Sequence, residues 1–268
     1  MLLKVKRLLL GSDSVQFSLL PHTVKCFIRL HNAINKEPTF IKVGANDGLS
    51  GDPCGDALLA CRKWKGALVE PIPYIFKRLS TLYADSSRFS CYQVAISDTD
   101  GKATMYMVNP SAGEELRGLP EWWDKIASFV PGHIEEHLER AAPYVQEIEV
   151  ETLSLASFMR KNGLQRPTLL EIDVEGHDLA VLRSYDFSIG APTLVLVEKR
   201  HLSDDGQTEL IRLLSANRYR VVLQCKYDVL AFRSRVGGLT SLSMGVCRSV
   251  LSYLKHKAAR RLVPLNPP

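Results

Sequence analysis

The sequence predicts an α/β fold in which a largely parallel sheet is wrapped by crossover helices and interrupted by one lid-like insertion. Three observations predict it. From residue 39 onward, short apolar runs alternate with stretches of helical periodicity. The first run leads directly into a glycine-marked turn, Val43-Gly44-Ala45-Asn46-Asp47-Gly48. The alternation breaks over residues 109–146 and then resumes.

Residues 1–38 read as an N-terminal helical extension, with a helix around Val24 to Asn35 ended by Pro38. Thr39 to Val43 reads as a first strand, Ala57 to Lys63 as a helix and Gly66 to Glu70 as a second strand. A helix over Tyr74 to Ala84 and a third strand over Arg88 to Ala95 follow. Lys102 to Val108, with alternating Met and Tyr, reads as an extra strand. The insertion at 109–146 holds four prolines, three glycines and the pair Trp122-Trp123, a composition that suits a binding loop or lid. Glu147 to Val150 reads as a short strand and Leu155 to Asn162 as a helix. Strands at Thr168 to Asp173 and Thr193 to Glu198 flank a helix at Leu179 to Tyr185. A helix over Thr208 to Asn217 precedes a hairpin of Tyr219 to Cys225 and Asp228 to Arg233. The domain should therefore span 39–235, and a basic helical tail should occupy 236–268.

Composition narrows the function. With 268 residues and 46% hydrophobic content, the chain can build a large core without staples, which excludes a disordered class. A net charge of +5 is too mild for a dedicated nucleic-acid binder. Much of the excess sits in Lys4, Lys6 and Arg7 and in Lys255, His256, Lys257, Arg260 and Arg261. These read as solvated ends, with weak peripheral contact to anionic lipid as the alternative. Met1 to Leu10 is too short and charged to span a membrane and lacks a signal-cleavage pattern. None of the six cysteines forms a Cys-x-x-Cys pair, which argues against zinc-ribbon and thioredoxin chemistry and for the cytoplasm.

The turn after the first strand specifies the ligand further. In open α/β sheets, ligands bind beyond the carboxyl ends of the strands. Gly44 lets the backbone turn sharply, and Gly48 does the same before the next helix. The spacing is Gly-x-x-x-Gly and not Gly-x-Gly-x-x-Gly, so a dinucleotide pyrophosphate cradle is not supported. Polar Asn46 and Asp47 suit a cofactor with an amino-acid tail. Glu70, before Pro71 at the end of the second strand, is placed to accept hydrogen bonds from both hydroxyls of a ribose.

Several segments together resemble the FkbM family of methyltransferases. They are Phe40 to Gly48 with Asp52-Pro53, Val69-Glu70-Pro71-Ile72-Pro73, Val94 to Gly101, Leu170 to Asp178, Pro192 to Glu198, and Asp228-Val229-Leu230-Ala231. The resemblance runs in order from about 39 to 233. It implies a Rossmann-like, seven-stranded class I methyltransferase sheet with an antiparallel last strand, and S-adenosylmethionine as cofactor. By position, Val43, Gly44, Ala45, Asn46, Asp47 and Gly48 would hold the methionine part, and Glu70 with Pro71 the ribose. Ala95, Ile96, Ser97 and Asp98 would border the adenine, and Asp173 would lie beside the transfer centre. Lys42 departs from the acidic or amide residue common before the turn, and Asp178 stands where many members have Glu.

Methyl transfer needs the acceptor aligned with the methyl carbon, and a hydroxyl acceptor gains from a base. Asp173, Glu175, His177 and Asp178 offer bases past the fourth predicted core strand, and Glu198 ends the fifth. The catalytic candidates are Asp173, His177 and Glu198. Asp173 and Glu198 could also hold Mg2+, a possibility not favoured over a metal-free site. The turn Asp173-Val174-Glu175-Gly176 lacks the Pro-Pro-aromatic signature of DNA-base methylation. The resemblance implies O-methylation of a sugar, glycolipid or natural-product hydroxyl, with an inactive cofactor-fold interaction module as the alternative. His133-Ile134-Glu135-Glu136-His137 matches the His-x-x-Glu-His pattern of zinc peptidases. With no evident third ligand it reads as a polar lid helix.

Overall fold

A computed structural model describes residues 13–48 and 54–233. The basic segments at the two ends, including the expected tail helix of 236–268, lie outside the described residues. A seven-stranded sheet forms the centre, with strand order β3-β2-β1-β7-β8-β10-β9. Its strands are β1 (Thr39–Val43), β2 (Lys65–Val69), β3 (Phe89–Tyr92), β7 (Leu169–Ile172), β8 (Leu194–Glu198), β9 (Tyr219–Gln224) and β10 (Asp228–Arg233). The first five of the spatial series pair in parallel, and β10 runs antiparallel to both of its neighbours. This is the expected seven-stranded sheet with an antiparallel last strand. Burial explains why the central strands were legible: β7 and β8 are buried at every position, as parallel strands covered on both faces must be.

The sheet separates two apolar layers. Phe40, Leu169, Leu194 and Leu196 face one layer with α1 (Asp13–Ile34) and α2 (Gly55–Ala60). Ile41, Leu170, Val195 and Val197 face the other, with α6 (Leu155–Lys161), α7 (Asp178–Arg183) and α8 (Asp204–Ala216). The N-terminal helix begins well before the expected Val24 and carries Pro21 inside it. Burial of Leu19, Leu20, Val24, Phe27 and Ile28 offsets the hydrogen bond that proline removes. Trp64 Nε1 donates to the Ile28 carbonyl at 2.9 Å and fastens this helix to the turn before β2. Among the described residues, no helix is long and apolar enough to cross a membrane.

The expected third strand, Arg88 to Ala95, proves to be two. Phe89–Tyr92 pairs with β2, whereas β4 (Ala95–Ser97) leaves the main sheet and pairs in parallel with Thr152–Ser154. The partner strand β6 (Val145–Ser154) also pairs along its length with β5 (Gly101–Val108), giving a second sheet of order β4-β6-β5. The short strand expected at Glu147 to Val150 is thus ten residues long, because a full antiparallel partner is available. Met105 and Met107 point into a small core with Ile72, Ile75 and Ala95, and Tyr106 packs on the opposite side.

The insertion holds short helical turns, α4 (Ala112–Glu115), α5 (His133–His137) and a 3-10 turn (Glu139–Tyr144). It has its own core of Ala112, Ile126, Ile134 and Ala141 with Val108. The two tryptophans divide their tasks. Trp123 packs on Gly113, where an added Cβ would lie 2.8 Å from its ring, and Trp122 is 45% exposed.

Lys42 and Glu171 face each other in register on β1 and β7, 3.4 Å apart and almost wholly buried. Removing one member of such a pair leaves a buried uncompensated charge. Lys42→Ala should therefore cost about 3 kcal/mol in urea denaturation, and Lys42→Met with Glu171→Leu should recover most of it. Equal losses in the single and double variants would contradict the pairing.

Candidate functional site

The carboxyl ends of β1, β2 and β7 meet at one cavity. Gly44 follows β1 at φ +78°, and a Cβ there would lie 1.7 Å from the backbone carbonyl oxygen of Asp173. Only glycine permits this approach. The turn is held by hydrogen bonds from the Gly44 and Ala45 N–H groups to the Val69 carbonyl, at 3.0 and 2.9 Å. Asn46 takes a left-handed φ of 49°, and its side-chain oxygen accepts from Asp47 N–H at 2.6 Å. Gly44, Ala45 and Asn46 line the cavity. Gly48 does not: it backs onto Tyr83, whose hydroxyl donates to its carbonyl at 3.0 Å.

Glu70 forms the adjacent wall. Its carboxylate accepts from Asn46 N–H at 3.0 Å and from Ile72 N–H at 2.9 Å, so it braces the turn while lining the cavity. Burial pushes its pKa up to about 7, against the opposing pull of those two hydrogen bonds and of Arg78. Pro71 separates the main cavity from an apolar side slot lined by Val69, Val94, Ala95, Ile96 and Phe129. Val43 also lines the slot.

Beyond the slot, Ser97 is buried and Asp98 exposed. The Ser97 hydroxyl lies 2.9 Å from His177 Nε2 and donates to Asp98 at 3.2 Å. The His177 ring rests on Phe129 with centroids 4.9 Å apart. Burial lowers its pKa, with Asp98 pulling the other way. His177 is thus packed behind the slot, and it lines neither cavity.

At the end of β7, the turn Asp173 to Asp178 wraps around the buried Asp178 carboxylate. That group accepts from Val174 N–H and Gly176 N–H, each at 3.1 Å. The wrapping forces Glu175 to a left-handed φ of 52°. Asp173 is exposed within the cavity, and Glu175 sits at its edge. Burial raises the Glu175 carboxyl, but the imidazoles of His133 and His201 outweigh it and hold its pKa at about 2. Glu198 lies outside the cavity, and burial followed by repulsion from Asp173 and Glu175 pushes it up to about 11.

The insertion completes the enclosure. Trp122, Lys125 and Ala127 also line the cavity. Lys125 Nζ lies 3.6 Å from Asp47, and Arg78 pairs with Asp124, so ion pairs tie the insertion to the turn and to α3 (Pro73–Leu82). Ser128 exchanges two backbone hydrogen bonds with Tyr106, and its hydroxyl donates to the Glu175 carbonyl at 2.7 Å.

Residues 42–221 match the profile of the methyltransferase FkbM domain. The chain belongs to this family. A solved structure, precorrin-6y C5,15-methyltransferase from Geobacter metallireducens GS-15, is similar at 9% identity and a TM-score of 0.39, over 82% of this chain and 86% of that one. No curated protein matches the sequence.

In this FkbM methyltransferase, Gly44, Ala45, Asn46, Glu70, Pro71 and Asp173 converge on the main cavity, and Val43, Ala95 and Ile96 on its slot. Asp47, Gly48, Ser97 and Asp98 line neither cavity: Asp47 pairs with Lys125, Gly48 accepts from Tyr83, and Ser97 bonds to His177 and Asp98. Sequence reasoning missed Lys125 and Met105 as cavity residues and His201 altogether. Lys125 follows Trp122-Trp123 by only two positions, yet no periodicity in the insertion marks which side chains turn inward. Gly44→Ala should lower the urea-denaturation midpoint, because the added Cβ would meet the Asp173 carbonyl at a positive φ. An unchanged midpoint would show that the turn tolerates a side chain against Asp173.

Proposed function

We propose that this methyltransferase uses S-adenosylmethionine and methylates a hydroxyl of a small polar acceptor, such as a sugar or glycolipid headgroup. The observation that carries the reading is the convergence of the Gly44–Asn46 turn, Glu70 and Asp173 on one cavity with an apolar slot beside it.

The residues present fit the cofactor part by part. The N–H groups of the turn are spent within the protein, so the charges come from side chains: Lys42 and Asp173 both line the cavity, which suits an amino-acid tail carrying both charges. Glu70 has further lone pairs for a ribose diol after accepting its two backbone bonds. The slot of Val94, Ala95, Ile96 and Phe129 is apolar, which suits the face of an adenine ring. When bound, the cofactor supplies a methyl group activated by a sulfonium.

The protein's own work is to orient the acceptor, exclude water and take its proton. Asp173 is the cavity carboxylate that suits the base role: Glu198 lies outside the cavity and is held protonated, and Glu175 is engaged by imidazoles. Trp122, half exposed at the rim, offers a flat face for a sugar ring.

Glu70 provides a pH test. Its carboxyl is raised to about 7, so it is largely neutral below that pH, and a diol donor binds better to the ionised form. S-adenosylhomocysteine affinity should rise about tenfold from about pH 6 to about pH 8. In Glu70→Gln it should be weaker and nearly flat. A slope that survives in Glu70→Gln assigns the titration elsewhere, and no binding at any pH would sink the enzyme reading. Asp173→Asn should lower methyl transfer to a panel of sugars and polyols at least a hundredfold while leaving the fold native. Near-normal turnover would remove Asp173 from the chemistry.

A further inference from the structure

The His-x-x-Glu-His stretch lacks a third ligand only when read along the chain. In the fold, α5 carries His133 and His137 one turn apart, on the side of the insertion that faces the loop after β8. That loop brings His201 against both, with ring centroids 4.7 Å from His133 and 4.8 Å from His137. One ring nitrogen from each of the three lies within 4.8 Å of the others. The turn after β7 adds Glu175, whose Oε2 is 3.3 Å from His133 Nε2 and 3.1 Å from His201 Nε2. Glu198 Oε1 stands 3.8 Å from His201 Nε2, and ligand atoms of Glu175, Glu198 and His201 also lie within 4.8 Å of one another.

We propose that His133, His137, His201 and Glu175 form a binding site for one divalent transition-metal ion of the Zn2+ type, which clips the insertion to the rim of the sheet. The distances suit a small tetrahedral ion. Ligand bonds of about 2.0–2.1 Å at tetrahedral angles set neighbouring ligand atoms about 3.3 Å apart, close to the two imidazole–carboxylate spacings. Three imidazoles and a carboxylate are a donor set for zinc-like ions and not for Mg2+, which prefers oxygen.

The alternative is a hydrogen-bonded histidine cluster, and its accounting is poor. The His201 side chain is 8% exposed, and its Nε2, though near Glu175, is not aligned for a hydrogen bond. Glu198 Oε2 is also buried without a hydrogen-bond partner. These two buried atoms at one spot mark a place where a ligand would satisfy both. His137 is already set for the role: its Nδ1–H donates to the His133 carbonyl at 2.8 Å, which leaves Nε2 with its lone pair. This is the outer-shell bond that fixes the tautomer of metal-bound histidines. On binding, the ion takes the place of the proton between His133 and Glu175, and that proton leaves to solvent.

Position gives the site its consequence. His133 and His137 belong to the insertion, whereas Glu175 and His201 belong to the loops after β7 and β8. Glu175 also lines the edge of the main cavity and sits in the strained turn beside Asp173. An ion there would fix the height of the lid over the acceptor side of the cavity without touching the glycine turn.

The test is metal binding by the full-length protein, independent of any methyl acceptor. Metal-stripped protein is incubated with Zn2+, gel-filtered and assayed by elemental analysis, and a Co2+-loaded sample is examined by visible absorption. The expected result is one equivalent of zinc, the strong visible bands of four-coordinate cobalt, and slower amide exchange across residues 130–138 on loading. His137→Gln and His201→Asn should each lower zinc affinity at least tenfold with circular dichroism unchanged. Both variants keep all six cysteines, so zinc retained by them at wild-type affinity would assign it to thiols and overturn the proposal. Less than one-tenth equivalent in the wild type, or six-coordinate cobalt spectra, would overturn it as well. S-adenosylhomocysteine binding by the variants is measured in parallel, so failure of the cofactor reading and failure of the metal reading are told apart.

Discussion

Gly44 and the carbonyl of Asp173 occupy space that no side chain could share, and the geometry of the site depends on that contact. It brings the carboxyl ends of β1 and β7 together at the point where the sheet order turns outward in both directions. Because the Gly44 and Ala45 N–H groups are spent on Val69, the turn is also locked to β2. Glu70 then reaches back to Asn46, so the residue proposed for the ribose holds the loop proposed for the methionine tail. One close approach therefore sets the positions of three functional elements.

The second sheet and the insertion make a cavity out of what would otherwise be an open sheet edge. β4 leaves the main sheet to start this second layer, which sets Met105 over the cavity and the slot beneath Phe129. The insertion is anchored by Arg78–Asp124, Lys125–Asp47 and Ser128–Glu175, each to a different element of the rim. Such contacts hold a lid in register. A loop of the same length with only its own small core would have little to orient it.

Much of this was legible in the sequence where burial is uniform. β1 and β10 have the bounds that their apolar runs predict, since strands with nearly continuous burial leave an unbroken signal. The glycine turn and Glu70 were legible because their chemistry is local. The split of the third strand was not, because Phe89–Tyr92 and Ala95–Ser97 form one apolar run and differ only in distant partners. The start of the first helix was obscured by Pro21, whose cost is outweighed by tertiary packing. The partnership of His201 with His133 and His137 spans more than sixty positions, and only the fold brings those rings together. Likewise, the division between Trp122 at the rim and Trp123 in the core depends on Gly113, which lies nine and ten positions away.

The central claim is that the methyl donor lies across the ends of β1, β2 and β7 with its reactive centre toward Asp173. A crystal structure with S-adenosylhomocysteine tests it most directly. The expected result is the ribose hydroxyls on Glu70, the adenine against Ala95 and Ile96, the amino-acid tail over Gly44 to Asn46, and the sulfur facing Asp173. A ligand bound elsewhere on the sheet, or one that touches neither Glu70 nor the glycine turn, would contradict it.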